Sequence, residues 1–257
     1  MSAFEIHQIP TRKDNYVYLV RERGGEGKVA VVDPSDAAPV LEALDRLGWK
    51  LTHVLATHHH NDHIGGVPEI KAKTGCVVVG PRADRDRIPN IEVEVGDGDT
   101  YAVGDAVGRV FDTPGHTRGH ISYWFPQSHA LFCGDTLFAL GCGRLFEGTP
   151  QQMWTSLSKY RAVPDETLVY CAHEYTQSNA RFALTVEPDN TSLVARSKQI
   201  DEMRAAGQST VPSTMGEERA TNPFLRADNP ALKKAIGMEN ADPVTVFAEI
   251  RARKDKF

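Results

Sequence analysis

Four of the ten histidines of this chain lie within six residues, directly after an apolar segment. The apolar segment reads LTHVLAT, which is typical of a strand, and residues 58–63 read HHHNDH. At the end of an extended strand, alternate side chains project to one side, and the turn that follows brings His63 back toward them. Imidazole and carboxylate groups suit zinc, iron, manganese or nickel. The loop therefore predicts two adjacent metal ions, one held by His58 and His60 and the other by Asp62 and His63.

A polar side chain of a metal-binding type follows three further apolar segments. GRVFDTPG is followed by His116, ALFCG by Asp135, and TLVYCA by His173. Because functional side chains gather where the strands of a sheet end, we expect all of them at one edge. Five histidines and two aspartates are enough for two metal ions with three terminal ligands each and one bridging carboxylate. Two metals about 3.5–4 Å apart share a bridging hydroxide.

The order of the predicted elements indicates an α/β fold followed by a helical segment. Short apolar runs bounded by Gly, Pro or Asp predict strands at 4–9, 16–22, 28–34, 51–58, 76–80, 108–114, 120–126, 130–135 and 167–173. Helical periodicity predicts helices at 35–48, 149–163, 190–206 and 243–254, the last with Asp242 as its N-cap. After Tyr175 no strand is predicted, and three or four helices are, including the last two of these. We therefore predict a catalytic domain over 1–174 and a helical domain over 175–257.

Composition excludes several classes of protein. The 257 residues are 40% hydrophobic and 25% charged, unlike a disordered, collagenous or coiled-coil chain. A net charge of −5 argues against nucleic acid as a partner. No apolar run is long enough for a membrane helix, and MSAFEIHQIPTRKD lacks the pattern of a signal peptide, so we expect a cytoplasmic protein. The four cysteines form no CxxC pair and are expected to be buried free thiols.

These motifs resemble the metallo-β-lactamase superfamily and, within it, the glyoxalase II (hydroxyacylglutathione hydrolase) family. The resemblance rests on THHHNDHIGG, TPGHTRGH, CGDTLF and CAHEY for the superfamily, and on GCGRLFEGT, NPFLRADNP and RARKDKF for the family. It runs nearly end to end. It implies a four-layer αββα sandwich with a C-terminal helical domain that binds glutathione.

The resemblance also assigns the metal ligands. Two divalent ions per chain are implied, most simply zinc, with iron and manganese as the alternatives that the family uses. The first metal would be held by His58, His60 and His116, the second by Asp62, His63 and His173, with Asp135 as the bridge. By the same resemblance the two aspartates, Asp62 and Asp135, would act together with a metal-bridging hydroxide that attacks the substrate.

The implied reaction is the hydrolysis of S-2-hydroxyacylglutathione thioesters, as in methylglyoxal detoxification. S-D-lactoylglutathione would give glutathione and D-lactate. The resemblance assigns glutathione contacts to Arg144, Tyr175, Arg251 and Lys254. Phe146 departs from the pattern, because the family often has Tyr there, and a missing phenolic hydrogen bond costs about 0.5–1.5 kcal/mol. A small-molecule substrate and a monomeric chain are expected.

Other interpretations remain open at this point. A mononuclear iron persulfide dioxygenase of the same superfamily also acts on glutathione derivatives, and other hydrolases or a catalytically silent binding protein share the scaffold. Ordinary surface roles are the alternative for Arg144, Tyr175 and the RARKDKF run, since cations are favoured at a helix C-terminus anyway. His59 and His120 either orient metal ligands or satisfy local backbone groups.

Overall fold

The structure, a computed structural model, describes residues 3–257. The chain divides into two compact units. The first unit comprises Met1–Asp112 and Arg118–Gly134, and the second comprises Thr113–Thr117 and Asp135–Phe257. Within the described residues, no helix has both the length and the apolar character that a bilayer crossing requires.

A six-stranded sheet, in the order β1 to β6, begins the first unit. Its strands are β1 (Phe4–Thr11), β2 (Asn15–Glu22), β3 (Val29–Val32), β4 (His53–Leu55), β5 (Val77–Pro81) and β6 (Val93–Val95). The first three strands pair antiparallel and the last four pair parallel. The run VAVV of β3 is buried throughout, as is usual for a strand covered on both faces. Parallel pairing places the ends of β3 and β4 at the same edge.

Helices cover one face of this sheet. They are α1 (Ala37–Leu47), α2 (Asn61–Ile64) and α3 (Val67–Thr74). The apolar stripe of α1, including Val40 and Leu44, packs on β3 and β4 together with Val67 and Ile70 of α3. Gly48 ends α1 in the left-handed conformation at φ 66°, which glycine adopts without a steric penalty.

The remaining strands of the first unit pair antiparallel in the order β10, β9, β8, β7. They are β7 (Thr100–Val103), β8 (Ala106–Asp112), β9 (Ile121–Phe125) and β10 (Ala130–Gly134). Aromatic contacts join them to the first sheet, with ring centroids 4.9 Å apart for Phe4 and Phe125 and 5.7 Å apart for Tyr18 and Phe132. The first unit thus has a helix layer and two facing sheets.

The second unit is mainly helical. Its strands are β11 (Leu137–Phe138), β12 (Gly141–Cys142), β13 (Leu168–Cys171) and β14 (Ser213–Thr214). Its helices are α4 (Pro150–Lys159), α5 (Thr176–Val186), α6 (Thr191–Ala205), α7 (Met215–Thr221), α8 (Pro230–Ala235) and α9 (Pro243–Lys256). Asp242 caps α9 as predicted, accepting hydrogen bonds from the amides of Val244 and Thr245 at 3.0 and 3.1 Å. Strands β11 and β12 form a hairpin.

Several elements differ from those predicted. A strand does follow Tyr175, because β14 pairs antiparallel with Leu168 and Val169 of β13. Strands β6, β7, β11 and β12 and helices α2 and α3 were not predicted. Most of them span too few residues to show a periodicity, and their pairing partners rather than their own sequence determine them. After Tyr175 three or four helices were predicted, and the structure has five there, α5 to α9. The predicted helix at 149–163 ends in a 3₁₀ turn at Tyr160–Ala162.

Candidate metal centre

The histidine-rich loop leaves β4 and ends in the short helix α2. His58 and His63 are fully buried, whereas His60 and Asp62 are partly exposed. The ring centroid of His58 lies 4.7 Å from that of His60 and 4.1 Å from that of His63. Three imidazoles are therefore gathered within one loop, which is the arrangement expected of metal ligands rather than of surface histidines.

Asp33 holds the loop from the end of β3. Its Oδ1 atom accepts a hydrogen bond from the amide of Thr57 at 2.8 Å, and its Oδ2 atom accepts one from the Thr57 hydroxyl at 2.7 Å. Oδ2 also lies 3.1 Å from Nδ1 of His63. A carboxylate on one ring nitrogen directs the other nitrogen toward a metal. No role was predicted for Asp33, although VVDP shows the same pattern of a polar residue after an apolar strand.

Asn15 contacts the carboxylate of the loop. Its side-chain amide donates to the backbone carbonyl of Asp62 at 3.2 Å and to Asp62 Oδ2 at 3.3 Å. The same Oδ2 atom lies 3.6 Å from Nε2 of His63. Asn15 thus turns the Asp62 carboxylate toward the imidazole, a contact that the sequence did not predict.

Asp135 is flanked by two imidazoles in the second unit. Its Oδ2 atom lies 3.4 Å from Nε2 of His116, and its Oδ1 atom lies 3.5 Å from Nε2 of His173. The Nδ1 atom of His116 is 2.9 Å from the carbonyl oxygen of Arg144, so the backbone selects which nitrogen faces Asp135. Each oxygen of one carboxylate thus faces a different histidine, as a bridging ligand requires.

The donor sets of both units fit divalent metal ions. Two ligand atoms on one tetrahedral zinc, each about 2.1 Å from it, are about 3.4 Å apart. The distance from carboxylate oxygen to imidazole nitrogen is 3.4 Å for Asp135 and His116 and 3.5 Å for Asp135 and His173. It is 3.6 Å for Asp62 and His63. These distances are long for hydrogen bonds but match the distance between two ligand atoms that bind the same metal ion. Gly143 makes room for this arrangement, since a Cβ there would lie 2.1 Å from the Asp135 carbonyl oxygen.

Comparisons with known proteins agree with this geometry. Residues 10–173 match the metallo-beta-lactamase superfamily, and residues 174–257 match the hydroxyacylglutathione hydrolase C-terminus. The chain belongs to the hydroxyacylglutathione hydrolase family. It is 58% identical to the hydroxyacylglutathione hydrolase of Methylococcus capsulatus over 98% of each chain. It is 57% identical to that of Rhodospirillum rubrum over 100% of each chain.

A solved structure confirms the fold class of this family member. The crystal structure of BLEG-1, a B3 metallo-beta-lactamase, superposes with a TM-score of 0.67 at 22% identity, over 86% of this chain and 99% of that chain. The expected metallo-β-lactamase fold with a helical C-terminal part is therefore confirmed.

Tyr175 and Arg144, two of the expected glutathione contacts of the hydroxyacylglutathione hydrolase family, are both accessible to solvent. The ring of Tyr175 is parallel to that of His173, with centroids 4.7 Å apart and an interplanar angle of 4°. Tyr175 is 37% exposed. The guanidinium of Arg144 is largely exposed, and its Nε atom lies 4.0 Å from Asp255 Oδ1.

The other two expected contacts lie on α9 and differ from each other. Arg251 is only 5% exposed; its guanidinium donates to the carbonyl of Cys142 at 2.9 Å and pairs with Asp255 at 2.9 Å. The Nζ atom of Lys254 lies 3.3 Å from the hydroxyl of Ser178. Burial, followed by the charges of Arg251 and Arg144, lowers the pKa of Lys254 to about 8.

Phe146 is the most exposed of the large apolar side chains noted on the surface, at 64%. Its ring centroid lies 5.2 Å from that of His116, in an edge-on arrangement. The position where the family often has Tyr is therefore open to solvent next to an expected metal ligand.

The structure gives His59 and His120 contacts within the first unit. The Nδ1 atom of His59 is 3.0 Å from Oδ2 of the buried Asp84. The ring of His120 is stacked on that of His58, with centroids 4.8 Å apart. Both side chains therefore support the histidine-rich loop.

The four cysteines are all free and buried. Burial raises the pKa of Cys142 to about 11 and that of Cys171 to about 12. Since the thiolate is the reactive form, these two thiols are unreactive at neutral pH.

Proposed function

We propose that this protein hydrolyses S-2-hydroxyacylglutathione thioesters, with S-D-lactoylglutathione as a substrate and glutathione and D-lactate as products. The observation that carries the proposal is the full-length match at 57% identity to a hydroxyacylglutathione hydrolase. The Asp135 carboxylate between two imidazoles supports it, because thioester hydrolysis needs an activated water. The role is the disposal of methylglyoxal-derived thioesters.

The proposed ligands form two sets. His58, His60 and His116 would hold one divalent ion, Asp62, His63 and His173 the other, and Asp135 both. Zinc is the metal that we propose, with iron and manganese as alternatives. The chemistry that such ions supply when bound is a water pKa lowered to roughly 7 and a polarised carbonyl.

The chain's own residues direct this chemistry. Asp62 and Asp135 together contribute two negative charges, which leave the centre cationic and favourable for a developing oxyanion. Asn15 and Asp33 keep Asp62 and His63 in their orientations. The leaving thiol has an ordinary pKa of about 8.5, so its departure needs no strong protein acid.

The glutathione part of the substrate carries carboxylates that the metal ligands do not meet. We propose that Arg144 and Lys254 bind them and that Tyr175 packs against the peptide. Arg251 is also a proposed glutathione contact, and its guanidinium donates a hydrogen bond to the backbone carbonyl of Cys142. Residues 175–257 would then form the glutathione-binding domain and residues 1–174 the catalytic domain.

Purified protein tests the proposal directly. Hydrolysis of S-D-lactoylglutathione under anaerobic conditions, with about two metal ions per chain, is the expected result. One iron per chain and sulfite formation that requires oxygen would instead indicate a persulfide dioxygenase. Absence of hydrolysis with both metals bound would rule out the proposed activity.

We further propose that the enzyme acts as a monomer in the cytoplasm, with a small molecule rather than nucleic acid as its partner. The free cysteines suit a reducing compartment, and the net charge of −5 is unfavourable for nucleic acid. Sedimentation equilibrium tests the first point, because a dimer would double the mass.

A further inference from the structure

Three polar side chains surround the turn between β11 and β12. The side-chain nitrogen (Nδ2) of Asn222 donates to the backbone carbonyls of Phe138 at 3.1 Å and Gly141 at 3.0 Å. Glu218 Oε2 accepts from the amide of Leu140 at 2.9 Å. The side-chain nitrogen (Nδ2) of Asn179 donates to the backbone carbonyl of Ala139 at 3.1 Å. We call Asn179, Glu218 and Asn222 the turn cradle.

The turn cradle is buried and internally connected. Glu218 and Asn222 are fully buried, and Asn179 is 5% exposed. Asn222 also donates to Glu218 Oε2 at 2.9 Å, and Glu218 Oε1 pairs with Arg196. A buried polar network of this kind defines a single backbone conformation when its groups are satisfied. Leu140 has a φ of 58°, an uncommon conformation for a residue other than glycine, so the turn depends on such support.

The β11–β12 hairpin, which the turn cradle supports, contains Phe138, and Phe138 contacts His173 and Tyr175 of the candidate site. The Phe138 ring is nearly perpendicular to the rings of both His173 and Tyr175, at centroid distances of 5.8 and 5.3 Å. These three rings form one cluster, because His173 and Tyr175 are themselves stacked. Phe138 therefore limits how the imidazole of His173 can rotate relative to Asp135.

We propose that Glu218 and Asn222 are positioning residues, which hold the β11–β12 turn so that Phe138 fixes the ring planes of His173 and Tyr175. This proposal rests on the proposed function, since Tyr175 is taken as a substrate contact and His173 as a metal ligand. It assigns a role to the NPFLR segment, which begins at Asn222. The cradle acts through the hairpin and touches neither substrate nor metal.

The first experiment compares two asparagines in the second unit. Asn222→Leu removes the donors to the turn at nearly constant volume. Asn190→Ala is the control, because Asn190 caps α6 and donates to the carbonyl of Ala220 without touching the turn. Both variants are expected to lower the thermal stability. The readouts are KM and kcat for S-D-lactoylglutathione at saturating metal, and the rate of metal loss to a chelator.

Asn222→Leu is expected to raise KM about tenfold, which corresponds to about 1.4 kcal/mol of binding free energy, and to leave kcat within about twofold. Metal loss is expected to accelerate by a similar factor. Asn190→Ala is expected to change neither readout. Equal effects of the two variants at equal stability would overturn the proposal.

A second comparison distinguishes the effect of the hydrogen bond between Glu218 and the turn from that of the ion pair between Glu218 and Arg196. Glu218→Gln keeps an oxygen for the Leu140 amide but loses the charge that faces Arg196, so stability should fall while KM stays constant. Glu218→Leu removes the acceptor and should raise KM. If the variants of Asn222 and Glu218 fail to fold, Phe138→Leu tests the proposal instead. This substitution leaves the turn cradle intact, and it should reproduce the rise in KM and the faster metal loss. Wild-type KM and metal loss in Phe138→Leu would refute the proposal.

The two proposals fail in different ways. Wild-type protein that binds metal but hydrolyses no thioester would contradict the proposed function alone. Metal loss is measured without substrate, so it tests the positioning role even in that case.

Discussion

The Nδ1 atom of His63 lies 3.1 Å from the Oδ2 atom of Asp33, and both side chains are buried. A buried carboxylate that accepts from one ring nitrogen fixes the tautomer of the imidazole and leaves the other nitrogen for a metal. The same carboxylate receives two hydrogen bonds from Thr57, so it also ties the start of the histidine-rich loop to the end of β3.

Replacing Asp33 by Asn should therefore weaken metal binding. The amide can present its NH₂ group to His63 and reverse the tautomer, and losing such a supporting contact typically lowers metal affinity by about 10- to 100-fold. Competition with a chelator measures the affinity. Asp45→Asn on the exposed surface of α1 is the matched control, and equal affinities for the two variants would contradict the role of Asp33.

The proposed role of Lys254 predicts that substrate binding depends on pH between 7 and 9. Its pKa of about 8 means that the side chain is cationic below that pH and loses its charge above it. If Lys254 binds a substrate carboxylate, KM should increase from pH 7 to pH 9, whereas a lysine with the ordinary pKa near 10.4 would give no such increase. Steady-state kinetics across this range measure the effect.

Lys254→Arg is the control for this pH dependence. A guanidinium stays charged throughout the range, so the increase in KM between pH 7 and 9 should disappear. An increase of the same size in Lys254→Arg would assign the titration to another group.

The gathering of imidazoles in the histidine-rich loop could be predicted from the sequence because these histidines are neighbours in the chain. That they bind metal ions stays a prediction. The proximity of Asp135 to His116 and His173 could be predicted because each of the three follows an apolar strand. Asp33 shows the same pattern but was not recognised, since a single Asp before Pro is also typical of an ordinary turn.

The supporting contacts could not be predicted, because they join residues far apart in sequence. Asp84 and His59 are separated by 25 positions, and Asn222 and Phe138 by 84. Asp, Glu and Asn are usually exposed, so nothing in the local sequence indicates that these particular side chains are buried. The short strands β11, β12 and β14 were missed for the related reason that their partners define them.

Introducing a hydroxyl at Phe146 tests whether the departure from the family pattern affects binding. The ring is exposed beside His116, so Phe146→Tyr places the new group in solvent near the site without disturbing the packing. One additional hydrogen bond of about 0.5–1.5 kcal/mol should lower KM by a factor of about 2 to 12 and leave kcat unchanged. An unchanged KM would show that no substrate group lies within reach of this position.

Occupancy of the metal sites should fall in acid. Histidines with an ordinary pKa near 6.5 bind metals only when neutral, so protons compete with the metal below that pH. Metal content measured after equilibration between pH 8 and pH 5 should fall by more than half. Full occupancy at pH 5 would mean that protons do not compete for these ligands.

Gly119 provides a test of the contact between His59 and Asp84 in which neither of these two residues is replaced. A Cβ at Gly119 would lie 2.0 Å from Asp84 Oδ1, so Gly119→Ala must displace the buried carboxylate from Nδ1 of His59. Overpacking of this kind costs about 1–3 kcal/mol. Because His59 lies between two expected metal ligands, chelator-induced metal loss should also accelerate. Gly24→Ala is the matched control, since a Cβ there meets nothing within 4 Å. Metal loss at the wild-type rate in a destabilised Gly119→Ala variant would confine the role of Asp84 to folding stability.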